Sequence, residues 1–209
     1  MLVLALDTAT PAVTAGVVRD LEVLAERVTV DARAHGELLT PHLLAALADA
    51  GRRLPDVDAI VCGVGPGPFT GLRAGMATAA ALGHALGVPV HPVCTLDAIA
   101  AGTSGPLLVT TDARRKELYW ATYADGARVT APAVDRPADI PADVPARAGT
   151  TLHADVLTMP HTGTEHPTPA GLVRAAAAQL DRPARPLVPM YLRRPDATVP
   201  GTRKRVTTP

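Results

Sequence analysis

The chain opens on an unbroken apolar run, residues 2–6, that stops at Asp7 and runs into the turn-prone Thr8, Ala9, Thr10, Pro11. Apolar residues without alternation suit a strand covered on both faces. Two further strand-like runs follow at 12–18 and 22–30, and the charged pair Arg19 and Asp20 between them fits a hairpin turn. The period then changes. Leu39, Leu43, Leu47 and Ala50 fall on one helical face across 34–50, and Gly51 ends that helix. Residues 58–65 predict another buried strand, 70–86 a second helix and 88–93 a further strand. A three-stranded meander followed by helix, strand, helix, strand predicts a mixed sheet with helices on its faces.

A second pass starts after the linker-like Gly102, Thr103, Ser104, Gly105, Pro106. Runs at 106–113, 117–123 and 127–131 repeat the strand-turn-strand-strand opening, which suggests an internal duplication. Residues 131–167 are proline-rich and short on pattern, so loops with one short strand are expected there. A helix at 169–180 and a strand at 186–192 close the chain. The predicted division is an N-terminal lobe over 1–101, a C-terminal lobe over 102–193 and a disordered basic tail over 194–209.

Composition narrows the function. With 209 residues, 47% hydrophobic but only 2% aromatic, the core must be filled by alanine, leucine and valine. Net charge is zero, which argues against a chain that grips nucleic acid alone; its concentrated basic residues, Arg193, Arg194, Arg203, Lys204 and Arg205, lie near the end. Cys62 and Cys94 sit in apolar runs and read as small buried hydrophobes of a reduced protein. The N-terminus has no basic region before its short apolar run, and 74–90 is interrupted by glycine, threonine and His84. A soluble, cytoplasmic protein without membrane association is expected.

The stretch at 63–83, GVGPGPFTGLRAGMATAAALG, carries the densest signal. A phosphate cradle needs successive backbone N–H groups and a neutralising lysine. Here Pro66 and Pro68 each delete a donor and no lysine follows. Instead Gly71, Gly75, Ala79, Gly83 and Gly87 recur every four residues, a small-residue seam along one side of the helix. Three glycines inside a helix cost about 1 kcal/mol each relative to alanine, so the seam implies close approach of another backbone. That backbone belongs to the sheet, to the first helix or to another subunit.

Active-site sets are sparse. Ser104 is the only serine and no G-x-S-x-G elbow exists. His35 and His42 are seven apart, the wrong spacing for a helical metal pair; His161 and His166 flank Glu165 in a proline-rich stretch. No metal site is predicted. Asp7, at the end of the first strand beside Thr8 and Thr10, either caps its turn or touches a nucleotide. Asp112, Arg114 and Glu117 at the matching second turn pose the same choice, and Arg114 and Glu117 either pair with each other or reach into a cleft between the lobes.

LALDTAT at the start, the 63–83 block, VCTLDAIA at 93–100, TDARRKELYWATY at 111–123 and PMYLR at 189–193 together resemble the TsaB (YeaZ) family. Most of the resemblance lies in the first 123 residues. It implies a two-lobed actin-like, sugar kinase and Hsp70-type α/β fold. It also implies an accessory, non-catalytic subunit in forming N6-threonylcarbamoyladenosine at position 37 of tRNAs that read codons beginning with A. The implied partners are the catalytic subunit TsaD, met through helices of the first lobe, the ATPase TsaE, and tRNA through the complex. No intrinsic cofactor is implied; ATP or ADP with magnesium belongs to the assembled complex. Pro68 replaces the serine common in the family's GPGSFTG loop, and the H-x-x-x-H element with which the catalytic relative binds metal is missing.

Helices 34–50 and 70–86 carry more small and apolar surface than one sheet contact needs. Leu39, Leu43, Met76 and Ala80 are therefore expected to form a partner surface, with Arg73 and His84 at its rim. Two other functions stay open: a nucleotide-hydrolysing or phosphotransfer enzyme acting alone, and a homodimeric binding module.

Overall fold

The computed structural model describes residues 1–141 and 143–193. The expected basic tail, 194–209, lies outside them. Among the described residues ten strands form two sheets. β1 (Leu2–Asp7), β2 (Ala12–Arg19) and β3 (Glu22–Val30) are the antiparallel meander, and β4 (Ala59–Gly63) and β5 (Val90–Val93) join it in parallel, giving the order β3-β2-β1-β4-β5. The parallel pairs require crossovers, supplied by α1 (His35–Asp49) and α2 (Phe69–Leu86). The first hairpin turns at Asp20 and Leu21, both at positive φ, one residue later than the charged pair suggests. Left-handed residues at both turn positions match the twist of the strands they join.

The second half rebuilds the opening. β6 (Pro106–Asp112), β7 (Leu118–Ala124) and the two-residue β8 (Ala127–Arg128) are antiparallel, β9 (Ala133–Asp135) also pairs with β7, and β10 (Arg147–Gly149) joins β6 in parallel. The parallel pair β10–β6 thus stands where β4–β1 stands in the first sheet. The strand expected at 127–131 shrinks to two residues, and the expected loop at 131–167 contains two short strands.

Two helices missing from or incomplete in the sequence pattern complete the layers. α3 (Thr95–Ala100) is only six residues long, too short to show a period. α4 (Pro169–Ala176) is capped by the Thr168 hydroxyl and continues as a 3-10 turn to Gln179. α1 and α2 cover one face of the first sheet, where Leu4, Leu6, Val13, Leu39, Leu43 and Ile60 meet. α4 covers the other face through Leu172, Val173 and Ala176 against Val3, Ala5 and Val61. α3 turns Leu96 and Ile99 onto Leu107, Val109 and Tyr123 of the second sheet, so the α3–α4 layer lies between the two sheets.

The strand expected at 186–192 does not form. Pro186 and Pro189 remove donors, and the segment runs across the molecule, tied by a backbone bond from Met190 N–H to the Val64 carbonyl (2.8 Å). No helix among the described residues is long and apolar enough to cross a membrane.

Candidate functional site: the first turn, the α2 seam and its outer face

The seam of α2 packs on its own sheet. Gly71, Gly75, Ala79 and Gly83 are all buried. A Cβ on Gly71 would lie 2.5 Å from the Thr8 carbonyl oxygen, one on Gly75 would collide with the Thr8 hydroxyl, and one on Gly83 with the Val90 side chain. Of the three partners the sequence allowed, the sheet comes closest, through Thr8 just after β1 and Val90 on β5, and α1 also approaches, with His35 3.3 Å from where a Gly71 Cβ would lie. The Thr8 hydroxyl uses that proximity, donating to the Gly71 carbonyl at 2.7 Å. Gly87 ends the helix in the left-handed conformation, φ 69°.

Asp7 is wholly buried at the end of β1. One carboxylate oxygen accepts from the Ala9 N–H (2.7 Å) and the other from the Thr95 hydroxyl of α3 (2.7 Å). Gly63 faces it so closely that any side chain there would overlap the carboxylate. Burial pushes the Asp7 carboxyl up to about 6, while Thr95, Ala9 and the nearby His35 pull the other way. Each oxygen is thus engaged within the fold, one capping the turn at Ala9 and the other tied to α3. Thr8 and Thr10 are likewise buried, and His35 Nε2 donates to the Thr10 carbonyl at 2.8 Å.

At the matching second turn, Asp112 caps the Arg114 N–H (2.8 Å) and pairs with the Arg114 guanidinium (3.5 Å). Glu117 N–H bonds the Arg114 carbonyl (3.0 Å), but among the described residues their side chains form no ion pair: the Glu117 carboxylate pairs with Arg193, which also donates to the Ala113 carbonyl (3.0 Å). Arg114, Arg115 and Lys116 all have positive φ, a costly run for residues with side chains. Between the two turns lies a cleft of about 290 Å³ lined by Thr10, Arg33, His35, Thr70 and Arg114. Asp7, Thr8 and Asp112 do not line it. Arg33 had no sequence signal, because nothing local marks a loop arginine as facing a helix start elsewhere.

The expected partner residues divide. Leu39 and Leu43 are each 1% exposed and belong to the core under α1, so their assignment to a partner surface is corrected. The periodicity that grouped them marks the inward face. Met76 is partly buried against the same core. Arg73, Ala80 and His84 are exposed on α2, together with Phe69, Ala77 and Ala81, and the outward positions of α1 include Pro41 and Leu44. His42 accepts from or donates to the Thr29 hydroxyl (2.8 Å), and His161 Nε2 donates to the Gly149 carbonyl (2.8 Å). Among the described residues no group of three histidine, cysteine, aspartate or glutamate side chains could hold a metal.

The doubled strand order and the helix layers define a two-lobed α/β protein of the actin-like, sugar kinase type. Residues 22–192 match the family model of TsaD, tRNA N6-adenosine threonylcarbamoyltransferase. An uncharacterized protein of Mycobacterium tuberculosis (strain ATCC 25618 / H37Rv) is 63% identical over 198 residues, 93% of each chain. The tRNA threonylcarbamoyladenosine biosynthesis protein TsaB of Escherichia coli (strain K12) is 35% identical over 128 residues, which is 59% of this chain and 55% of that one. The crystal structure of an uncharacterized protein with similarity to peptidase YEAZ, from Pseudomonas aeruginosa, superposes with a TM-score of 0.79 at 29% identity, covering 92% of this chain and 99% of that one. YeaZ from Pseudomonas aeruginosa gives 0.77 at 25% identity, with 91% and 100% covered. The chain belongs to the TsaB/YeaZ branch of this threonylcarbamoyltransferase family.

Proposed function

We propose that this protein is an accessory subunit in the formation of N6-threonylcarbamoyladenosine on tRNA, pairing with and activating a TsaD-like catalytic subunit. The observation that carries the reading is the two-sidedness of α2. Its glycine seam is committed to the chain's own sheet, while its outer stripe of Arg73, Ala77, Ala80, Ala81 and His84 is left exposed. The helix contains no carboxylate at all. Small residues on a rigid helix let a partner helix approach closely, and the flanking cations supply orientation.

Two features support a non-catalytic role. The Asp7 carboxylate is consumed by Ala9 and Thr95, and the seven histidines include no pair four residues apart. A TsaE-like ATPase, ATP or ADP with magnesium, and tRNA would meet this subunit only in the assembled complex. The alternative is an enzyme of the same fold that hydrolyses nucleotide alone, favoured by the arginine-lined cleft beside Thr10. Turnover of ATP by the isolated chain, lost on Arg114→Ala, would support it.

The test of the leading reading is Ala80→Glu. Ala80 is exposed, so the variant should fold and melt like the parent, yet bind the TsaD-like subunit at least about tenfold more weakly, because a charge would be desolvated in the contact. Reconstituted tRNA modification should fall in parallel. Unchanged binding by the folded variant places the contact away from α2 and sinks the reading.

A further inference from the structure

The PMYLR stretch, 189–193, brings an exposed aromatic ring to the start of α2. Five aromatic residues occur in the chain, one phenylalanine, three tyrosines and one tryptophan. Tyr119, Trp120 and Tyr123 on β7 are buried. The other two, Phe69 and Tyr191, are 39% and 41% exposed and stack on each other with ring centroids 5.2 Å apart. Arg73 lies over the Phe69 ring, 3.5 Å from its centroid, and donates through Nε to the Tyr191 hydroxyl at 3.3 Å. Phe69 begins α2 and is followed on the same side by Arg73, Ala77, Ala80 and His84, at intervals of four, four, three and four. The aromatic pair is therefore the end of the exposed stripe.

Tyr191 reaches this place on a segment fastened from both sides. Leu187 packs against the core under α1 and Met190 against the core under α3. Met190 N–H is bonded to Val64, next to α2, and Arg193 is held by Glu117 and the Ala113 carbonyl at the second turn. An exposed side chain on so well-fixed a backbone loses little freedom when a partner covers it.

We propose that Phe69, Arg73 and Tyr191 form the anchor of the partner surface, built jointly by α2 and the strap 187–193. The proposal rests on the reading above, and its occupant is the same TsaD-like subunit. Continuity with the α2 stripe identifies that occupant. The chemistry it must offer is an apolar side chain against the ring pair and a carboxylate for Arg73, whose guanidinium, among the described residues, meets the Phe69 ring and the Tyr191 phenol. Stacked aromatics beside an arginine are the residue types in which binding energy concentrates.

The test measures affinity for the TsaD-like subunit from the same genome, using the full chain with Tyr191→Ala, Tyr191→Phe and Ala80→Glu, each checked by melting. Tyr191→Ala should weaken binding about tenfold or more, and Tyr191→Phe, which keeps the stack, should stay within about threefold. Hydrogen exchange on the unmodified protein gives a second measurement that no folding defect can confuse: amides in 187–193 should slow when the subunit binds. Normal binding by Tyr191→Ala, with loss in Ala80→Glu, overturns the anchor and leaves the α2 reading standing. Normal binding by both removes the two together. A Tyr191→Ala protein that loses only self-association assigns the anchor to a second copy of this chain, and unaltered exchange in the strap also overturns the proposal.

Discussion

Replacing Asp7 by asparagine should stabilise this protein at neutral pH and leave it unchanged in acid. The carboxyl is wholly buried and pushed from 3.8 up to about 6, chiefly by loss of hydration. A carboxyl that holds its proton more tightly when folded makes the folded state bind more protons between about pH 4 and 6. Stability from this group is therefore full below about pH 4 and is lost as pH rises through 6. That rise corresponds to a cost on the order of 2–3 kcal/mol for keeping the ionised group buried at pH 7. Asparagine keeps the shape and the acceptor for Ala9 N–H, while its amide nitrogen faces the Thr95 hydroxyl, which can turn to accept. Urea unfolding from pH 4 to 8, followed by the buried Trp120, measures the difference between variant and parent; other titrating groups cancel in that difference. The gap should be near zero at pH 4 and favour Asp7→Asn by about 1–3 kcal/mol at pH 8. A variant less stable than the parent at pH 8, or a gap independent of pH, refutes the burial argument.

Two glycines should respond oppositely to alanine. Gly75→Ala places a methyl on the Thr8 hydroxyl and should destabilise by about 1–3 kcal/mol, whereas Gly36, with open space around its would-be Cβ in α1, should gain about 0.5–1 kcal/mol on the same change; thermal melts decide both. Cys62 and Cys94 are buried thiols, the second pushed up to about 12 and the first also raised, mainly by burial. A thiol reagent at pH 8 should therefore label neither until denaturant is added, and native labelling of either would contradict their packing.

The sequence determined by itself the order of β1 to β7 and of the two long helices, because apolar runs and 3.6-residue periods are local properties. It showed β1, the first helix pair and the repeat of the opening meander to within a few residues. Tertiary structure decided the rest. Six-residue α3 carries no period and is helical because it fills the space between two sheets. The 186–192 run reads as a strand, but its prolines remove donors, the Tyr191 N–H turns back to the Pro189 carbonyl, and its path along both cores denies it a ladder. Periodicity placed Leu39 and Leu43 on one face and could not say that the face pointed inward. That depends on where β1, β2 and β4 lie beneath it. The seam of α2 was legible as a demand for close approach, while its partner, Thr8, is more than sixty residues away by fold and not by pattern. Asp7 was legible as a turn residue, yet the burial that raises its pKa comes from distant parts of the chain such as Gly63, brought against it by the parallel crossover, while the Thr95 hydroxyl bonded to it acts in the opposite sense. Local chemistry writes the elements; the long-range packing of strands from distant parts of the chain decides which side chains are sealed and which face outward.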